Sequence, residues 1–171
     1  MLDTVAERSY CEGVAESPIH KSGRSNRRAS SRVVRSKSLG ASLGLSVSSI
    51  HDLIHQVEHG FSFKALLVFA SNSGISVSVI TSIVGIPERT LARRKAAAKL
   101  TTDESERLLR LSTIFEKAVE LFEGDAMAAV NWLTTPRKAL DNISPLTYCR
   151  TELGAREVEN LIGRLEHGIF S

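Results

Sequence analysis

The sequence predicts an all-α fold: a small helical domain of helix-turn-helix type, a long helix, and a C-terminal helical module, behind a disordered basic N-terminal leader. Three observations carry this. From Phe61 onward, apolar residues recur at spacings of three and four, the period of helices packed on one side. The breaks between these runs carry helix punctuation, namely Gly74, Gly85-Ile86-Pro87, Gly124-Asp125, Pro136 and Pro145. Between Ser17 and Leu39 stand seven Lys or Arg and no acid, so most of the net charge of +3 sits in one run ahead of the periodic part. The boundaries expected are residues 1–45 for the leader, 46–123 for the helix-turn-helix and dimerisation region, and 124–171 for the C-terminal module.

The leader is rich in Ser, Arg and Gly, has little to bury and repels itself, which predicts disorder. Two readings stay open for it: a solubilising extension, or a basic arm that follows a phosphate backbone. Its first sixteen residues hold four acids and no apolar segment, unlike a secretory signal, and no run approaches a membrane span. Cys11 and Cys149 are far apart and read as free thiols of a cytoplasmic protein. Leu39 to Leu53 reads as a short strand or a docking segment.

Apolar residues are 42% of the 171 and aromatics only 5%, so Leu, Ile, Val and Ala do most of the packing. Phe63, Leu66, Leu67 and Ala70 give the first helical face, ended by Asn72-Ser73-Gly74. A second short helix runs from about Ser76, a plausible cap, to Val84, with Val79, Ile80 and Ile83 expected inward. Gly85 breaks the chain, Ile86 returns to the core, and Pro87 opens a third helix with Leu91 inward. Two short helices about a glycine turn, the second loaded with Arg89, Arg93, Arg94 and Lys95, match a helix-turn-helix. Guanidinium forks there suit phosphates or guanine edges, although a basic solvated helix in a bundle has the same spacing. The longest helix starts at a Thr101/Glu104 capping box and runs to about Glu123. Its stripe of Leu108, Leu111, Ile114, Phe115, Ala118, Leu121 and Phe122 is assigned mainly to the core, with part available for a dimer seam.

Asp125 caps the next short helix, and Trp132 is expected to anchor the C-terminal module to the long helix. Pro136 and Pro145 steer two short turns. Thr151 caps a final helix whose apolar face is read as Leu153, Val158, Leu161, Ile162 and Leu165, with Glu152 and Arg156 one turn apart for pairing. Gly154 suggests a close backbone approach, and Gly168 a left-handed cap after His167, turning out Ile169-Phe170-Ser171.

Catalytic chemistry is not apparent. His51, His55 and His59 stand at i, i+4 and i+8 without a further ligand for a closed metal site. A phosphate loop, a nucleophile elbow and a redox thiol pair are all lacking, so neither enzyme activity, metal nor cofactor is expected.

From Phe61 to Ser171 the chain resembles antitoxins of the Xre/MbcA/ParS family. The residues are Asn131-Trp132-Leu133 with Pro136 and Ala139-Leu140, then Pro145-Leu146, then Thr151-Glu152-x-Gly154-Ala155-Arg156-Glu157-Val158-Glu159, and the run from Leu161 to Ser171. Arg89-Thr90-Leu91-x-Arg93-Arg94 behind Gly85-Ile86 is similar to the family's degenerate helix-turn-helix. The resemblance implies a homodimer that binds its own promoter DNA and caps a RES-domain toxin, an enzyme that degrades NAD or transfers ADP-ribose from it. It makes Arg156, Glu157, Glu159, Asn160, Arg164, Glu166, His167, Ile169, Phe170 and Ser171 candidates for the toxin contact, covering the NAD cleft, with a carboxylate at Ser171 available to a cationic group there. Three places depart from the family pattern: Asp141-Asn142-Ile143 where glycines are usual, Arg137 where asparagine is favoured, and Ala98 in place of a common glycine. A competing reading is a DNA-binding regulator with a C-terminal oligomerisation module and no toxin; it explains the basic helix and leaves the tail unexplained.

Overall fold

The computed structural model describes residues 39–168. They form eight α-helices and two short 3-10 turns around one continuous apolar core. The leader's residues 1–38 and the tail Ile169-Phe170-Ser171 lie outside the described residues, and so do the expectations placed on them.

Residues 39–45, which the expected boundaries put in the leader and the Leu39 to Leu53 reading made a strand or a docking segment, dock on the body. A 3-10 turn at Ala41–Leu43 seats Leu43 and Ser42 in the interior. The Ser42 amide and hydroxyl both donate to Glu116 Oε1, at 2.8 and 2.7 Å, and Asn72 donates to the Ser42 carbonyl at 2.9 Å. The segment is thereby tied to two helices. Helix α1 (Ile50–His59) replaces the strand considered for the stretch up to Leu53. Ser49 caps it by accepting from the Asp52 amide, while Asp52 accepts from the Ser48 amide; this bond holds the Asp52 carboxyl below its ordinary pKa.

Helix α2 (Phe63–Ser73) and helix α3 (Val77–Val84) end on left-handed Gly74 and Gly85 and bury Leu66, Phe69, Ile80 and Val84 completely. Two apolar residues expected inward, Leu67 and Val79, are instead exposed by about two fifths, because each lies off the axis of its buried stripe. Helix α4 (Glu88–Ala97) follows a three-residue turn in which Ile86 does return to the core. Pro87 is its N-cap.

Helix α5 (Thr102–Leu121) is the axis of the molecule. Its capping box forms as expected, with Thr101 accepting from the Glu104 amide and Glu104 from the Thr101 amide. Leu108, Leu111, Ile114, Phe115 and Ala118 are all at most 1% exposed, so this part of the stripe is core, while Leu121 and Phe122 at its end are partly buried. Asp125 caps helix α6 (Ala126–Thr134), accepting from the Met127 and Ala128 amides. After the 3-10 turn Lys138–Leu140, helix α7 (Pro145–Tyr148) and helix α8 (Glu152–Glu166) close the C-terminal module, with α6 and α8 packed on α5. No helix among the described residues is long and apolar enough to cross a membrane.

Candidate functional site

Two surfaces stand out, the outer side of α4 and the outer side of α8, and both are set by α5. Helix α4 contains no buried residue. Leu91 is only partly buried, so apolar packing holds this helix weakly. Its firm attachment is ionic: Arg94 Nε donates to both oxygens of Glu104, at 2.9 and 2.8 Å, in a pair that is largely shielded from solvent. Glu104 thus serves two ends at once, the α5 cap and the α4 side chain. Arg107 Nη1 donates to the Val84 carbonyl at 3.2 Å, which fixes the C-terminus of α3 at the turn. Gly85 allows that turn with a φ of 79°, a conformation that disfavours any side chain.

Of the four basic residues singled out on α4, Arg94 therefore differs from expectation: its Nε is committed inward. Arg89, Arg93 and Lys95 are exposed and make no ion pair among the described residues. Arg89 and Arg93 share one face with Ala92 and Ala96 between and beyond them, a low profile that lets a groove approach the backbone. Glu104 itself was known from the sequence only as a cap. Its link to a residue ten positions upstream is tertiary and has no local signal.

The module that carries α8 is held by close packing. Trp132 is 7% exposed, tilted against Phe122 at the end of α5 with ring centroids 6.5 Å apart, while the Arg137 guanidinium lies 5.4 Å over the indole and donates to the Trp132 carbonyl at 3.3 Å. Stacking keeps that cation paired to the anchor. Pro136 precedes the 3-10 turn, and Pro145 occupies the first turn of α7 behind the Ser144 cap. Between them Asp141 and Asn142 both take left-handed backbone, with φ of 54° and 60°, the conformation for which glycine is usual.

Gly154 accounts for how tightly α8 sits. A Cβ at this residue would lie 2.0 Å from the Tyr148 carbonyl oxygen, so α7 and the first turn of α8 approach backbone to backbone. Ala155, Val158, Leu161 and Ile162 are buried beneath the helix. Two ion pairs tie it to α5: Arg110 Nε to Glu152 Oε2 at 2.6 Å, and Lys117 Nζ to Glu159 Oε1 at 3.3 Å. The expected Glu152–Arg156 pair forms at 3.2 Å. Cys149 is buried in this joint, and burial pushes its thiol up to about 12, so it stays protonated.

With that side occupied, Arg156, Glu157, Asn160, Arg164, Glu166 and His167 are exposed. Glu159 is half-buried and turned to Lys117, which separates it from this group. Gly168 is left-handed after His167, with a φ of 64°. Leu153 departs from expectation: it is 76% exposed and opposite the apolar face. At 100° per residue it lies about 140° from the middle of the buried stripe, so the helical period itself carried the signal.

Among the described residues no group of three metal-ligating side chains converges; His55 and His59 stack at 4.0 Å, and His59 Nδ1 is hydrogen-bonded to the His55 carbonyl.

Comparison with known proteins divides the chain along the same lines. Residues 52–112 match the antitoxin Xre-like helix-turn-helix domain, and residues 117–168 match the antitoxin Xre/MbcA/ParS C-terminal toxin-binding domain. An Antitoxin Xre of Yersinia enterocolitica is 38% identical over 138 residues, covering 80% of this chain and 93% of the relative. An Antitoxin Xre of Photorhabdus laumondii is 43% identical over 93 residues, 54% of this chain and 63% of the relative, and one of Pseudomonas putida is 34% identical over 84 residues, 48% and 52%. With both parts matched in order, and a relative covered over nearly its whole length, the chain belongs to the Xre/MbcA/ParS family of antitoxins.

Proposed function

We propose that this antitoxin neutralises a RES-domain toxin, one that consumes NAD or transfers ADP-ribose from it, by laying the outer face of α8 and the following tail over the toxin's NAD cleft. The observation that carries this reading is the construction of α8. One side is locked onto α7 and α5, and the other presents Arg156, Glu157, Asn160, Arg164 and His167 together, with Glu166 exposed beside them in the last turn, within the segment that matches the toxin-binding domain. A rigid helix with satisfied inner contacts binds without a large ordering cost, which favours a partner-facing role for its free side. Ile169, Phe170 and Ser171 follow α8 in sequence and belong to the proposed contact. Glu159 supports the contact indirectly, by holding α8 to α5.

The second part of the proposal is operator binding through α4, repressing the antitoxin's own operon. Arg89, Arg93 and Lys95 meet the duplex, and Arg94 orients the helix from behind. A homodimer places two such helices on two half-sites. Exposed Ile50 and Ile54 on α1 are candidates for the seam.

The test is co-expression with a RES-domain toxin, sought first among the products of the adjoining reading frames. The antitoxin should co-purify with it and preserve cellular NAD. A quadruple Arg156→Ala, Glu157→Ala, Asn160→Ala, Arg164→Ala variant should lose both effects with its helix content unchanged. Lack of any complex with the wild-type chain would leave only the regulator reading standing.

A further inference from the structure

Beside the first turn of α8 runs an open groove of about 610 Å³, lined by Ile143, Thr147, Tyr148, Arg150, Leu153 and Glu157. It has no assigned role. Leu153 and Ile143 are exposed by 76% and 40%, and both line it. A leucine so exposed at the start of a helix that elsewhere buries its apolar residues gains nothing from its own fold. Its position along the chain is informative. Leu153, Glu157, Asn160 and Arg164 follow one another at four, three and four residues, so they form one stripe on the outer face of α8. The groove is therefore the apolar beginning of the charged surface that the proposed toxin contact uses.

We propose that this groove seats an apolar side chain of the toxin and supplies the central anchor of the contact, with the charged stripe as its rim. The assignment rests on the toxin-contact reading above. The groove also lies within the segment matched by the toxin-binding domain, which makes it continuous with that surface. Interfaces concentrate their energy in a few desolvated apolar or aromatic anchors, while exposed charges around them contribute orientation and rate. On α8 the exposed charges include an arginine already engaged by Glu152, so a charged face alone is a weak source of affinity. The groove's rim bears both Arg150 and Glu157, which fits a partner patch with an apolar residue flanked by an acid and a base. Specificity between related toxins would then be set by the shape around Leu153.

Binding of a purified RES-domain toxin to the full chain tests this by titration calorimetry. Leu153→Asp should weaken binding by about 30-fold or more, and Leu153→Met should stay within about threefold of wild type. Ile143→Asp, in the same groove but outside α8, is a second probe should Leu153→Asp perturb the helix; circular dichroism and melting report on that separately. Wild-type binding with both aspartate variants near wild-type affinity overturns the groove and leaves the toxin contact standing. A wild-type chain that does not bind overturns the toxin contact, and the groove with it. A free antitoxin whose mass by light scattering falls with Leu153→Asp assigns the groove to a second copy of this chain, which also overturns the proposal.

Discussion

Helices α4 and α8 are each the exposed face of their part of the molecule, yet they are mounted in opposite ways. Helix α4 buries no residue and is held by an ion pair, Arg94–Glu104, with Leu91 half in contact. Helix α8 buries Gly154, Ala155, Val158, Leu161 and Ile162, and touches α7 backbone to backbone. Apolar packing is insensitive to salt and hard to adjust, whereas an ion pair at the edge of the fold fixes orientation while leaving the helix free on its other sides. A helix that must fit a duplex groove tolerates the second arrangement. One that must present a shaped surface to a protein needs the first.

The largest effect should come from Gly154→Ala. A methyl group placed 2.0 Å from the Tyr148 oxygen forces α7 and α8 apart, with a loss of about 3–5 kcal/mol by analogy with severe overpacking. Cys149 reports this locally. Its buried, protonated thiol should resist alkylation in the wild-type protein and react in the variant, while the helix-turn-helix part keeps its protection in hydrogen exchange. Equal loss in both parts would show that the two mountings are not separable.

On α4 the reverse holds. Arg89→Ala with Arg93→Ala should weaken operator binding by about 2–4 kcal/mol, chiefly at low salt, and leave the melting temperature nearly unchanged, since neither side chain has a partner among the described residues. Glu104→Gln is the sharper experiment. Its amide oxygen still accepts from the Thr101 amide, but the charge facing Arg94 is gone. Stability should fall by about 2 kcal/mol and operator affinity by about tenfold, with toxin binding intact. If operator affinity is unchanged, the ion pair does not position α4.

Most of the architecture was legible because it rests on local rules. The Thr101/Glu104 box, the Ser76, Asp125 and Thr151 caps, Gly85, and the close approach at Gly154 all lie where spacing and residue type put them. What failed has a common cause. Leu67, Val79 and Leu153 are apolar and so suggest an inward position, although their angular position places them off the buried stripe. The docking of residues 41–43 is compatible with the reading of Leu39 to Leu53 as a docking segment, but a 3-10 turn anchored by Glu116, 74 positions away, has no period that gives its form or its partner. In the candidate sites, exposure on α8 followed from its period, but the commitment of Arg94 to Glu104 and of Glu159 to Lys117 depends on helices meeting in space.

The smallest effect bears on why α4 is the looser helix. Ala98 ends it in left-handed backbone, with a φ of 53°, and its amide donates to the Lys95 carbonyl while its carbonyl accepts from Phe63. A Cβ in that conformation costs about 1 kcal/mol, which glycine avoids at the expense of a more flexible unfolded chain. Ala98→Gly should therefore stabilise the protein by about 0.5–1 kcal/mol in urea denaturation, and slow hydrogen exchange in the last turn of α4 while leaving α8 unchanged. The residue is exposed, so little packing is lost in the exchange. A destabilised variant would mean that chain entropy outweighs the strain, and that the ion pair alone explains how loosely α4 is held.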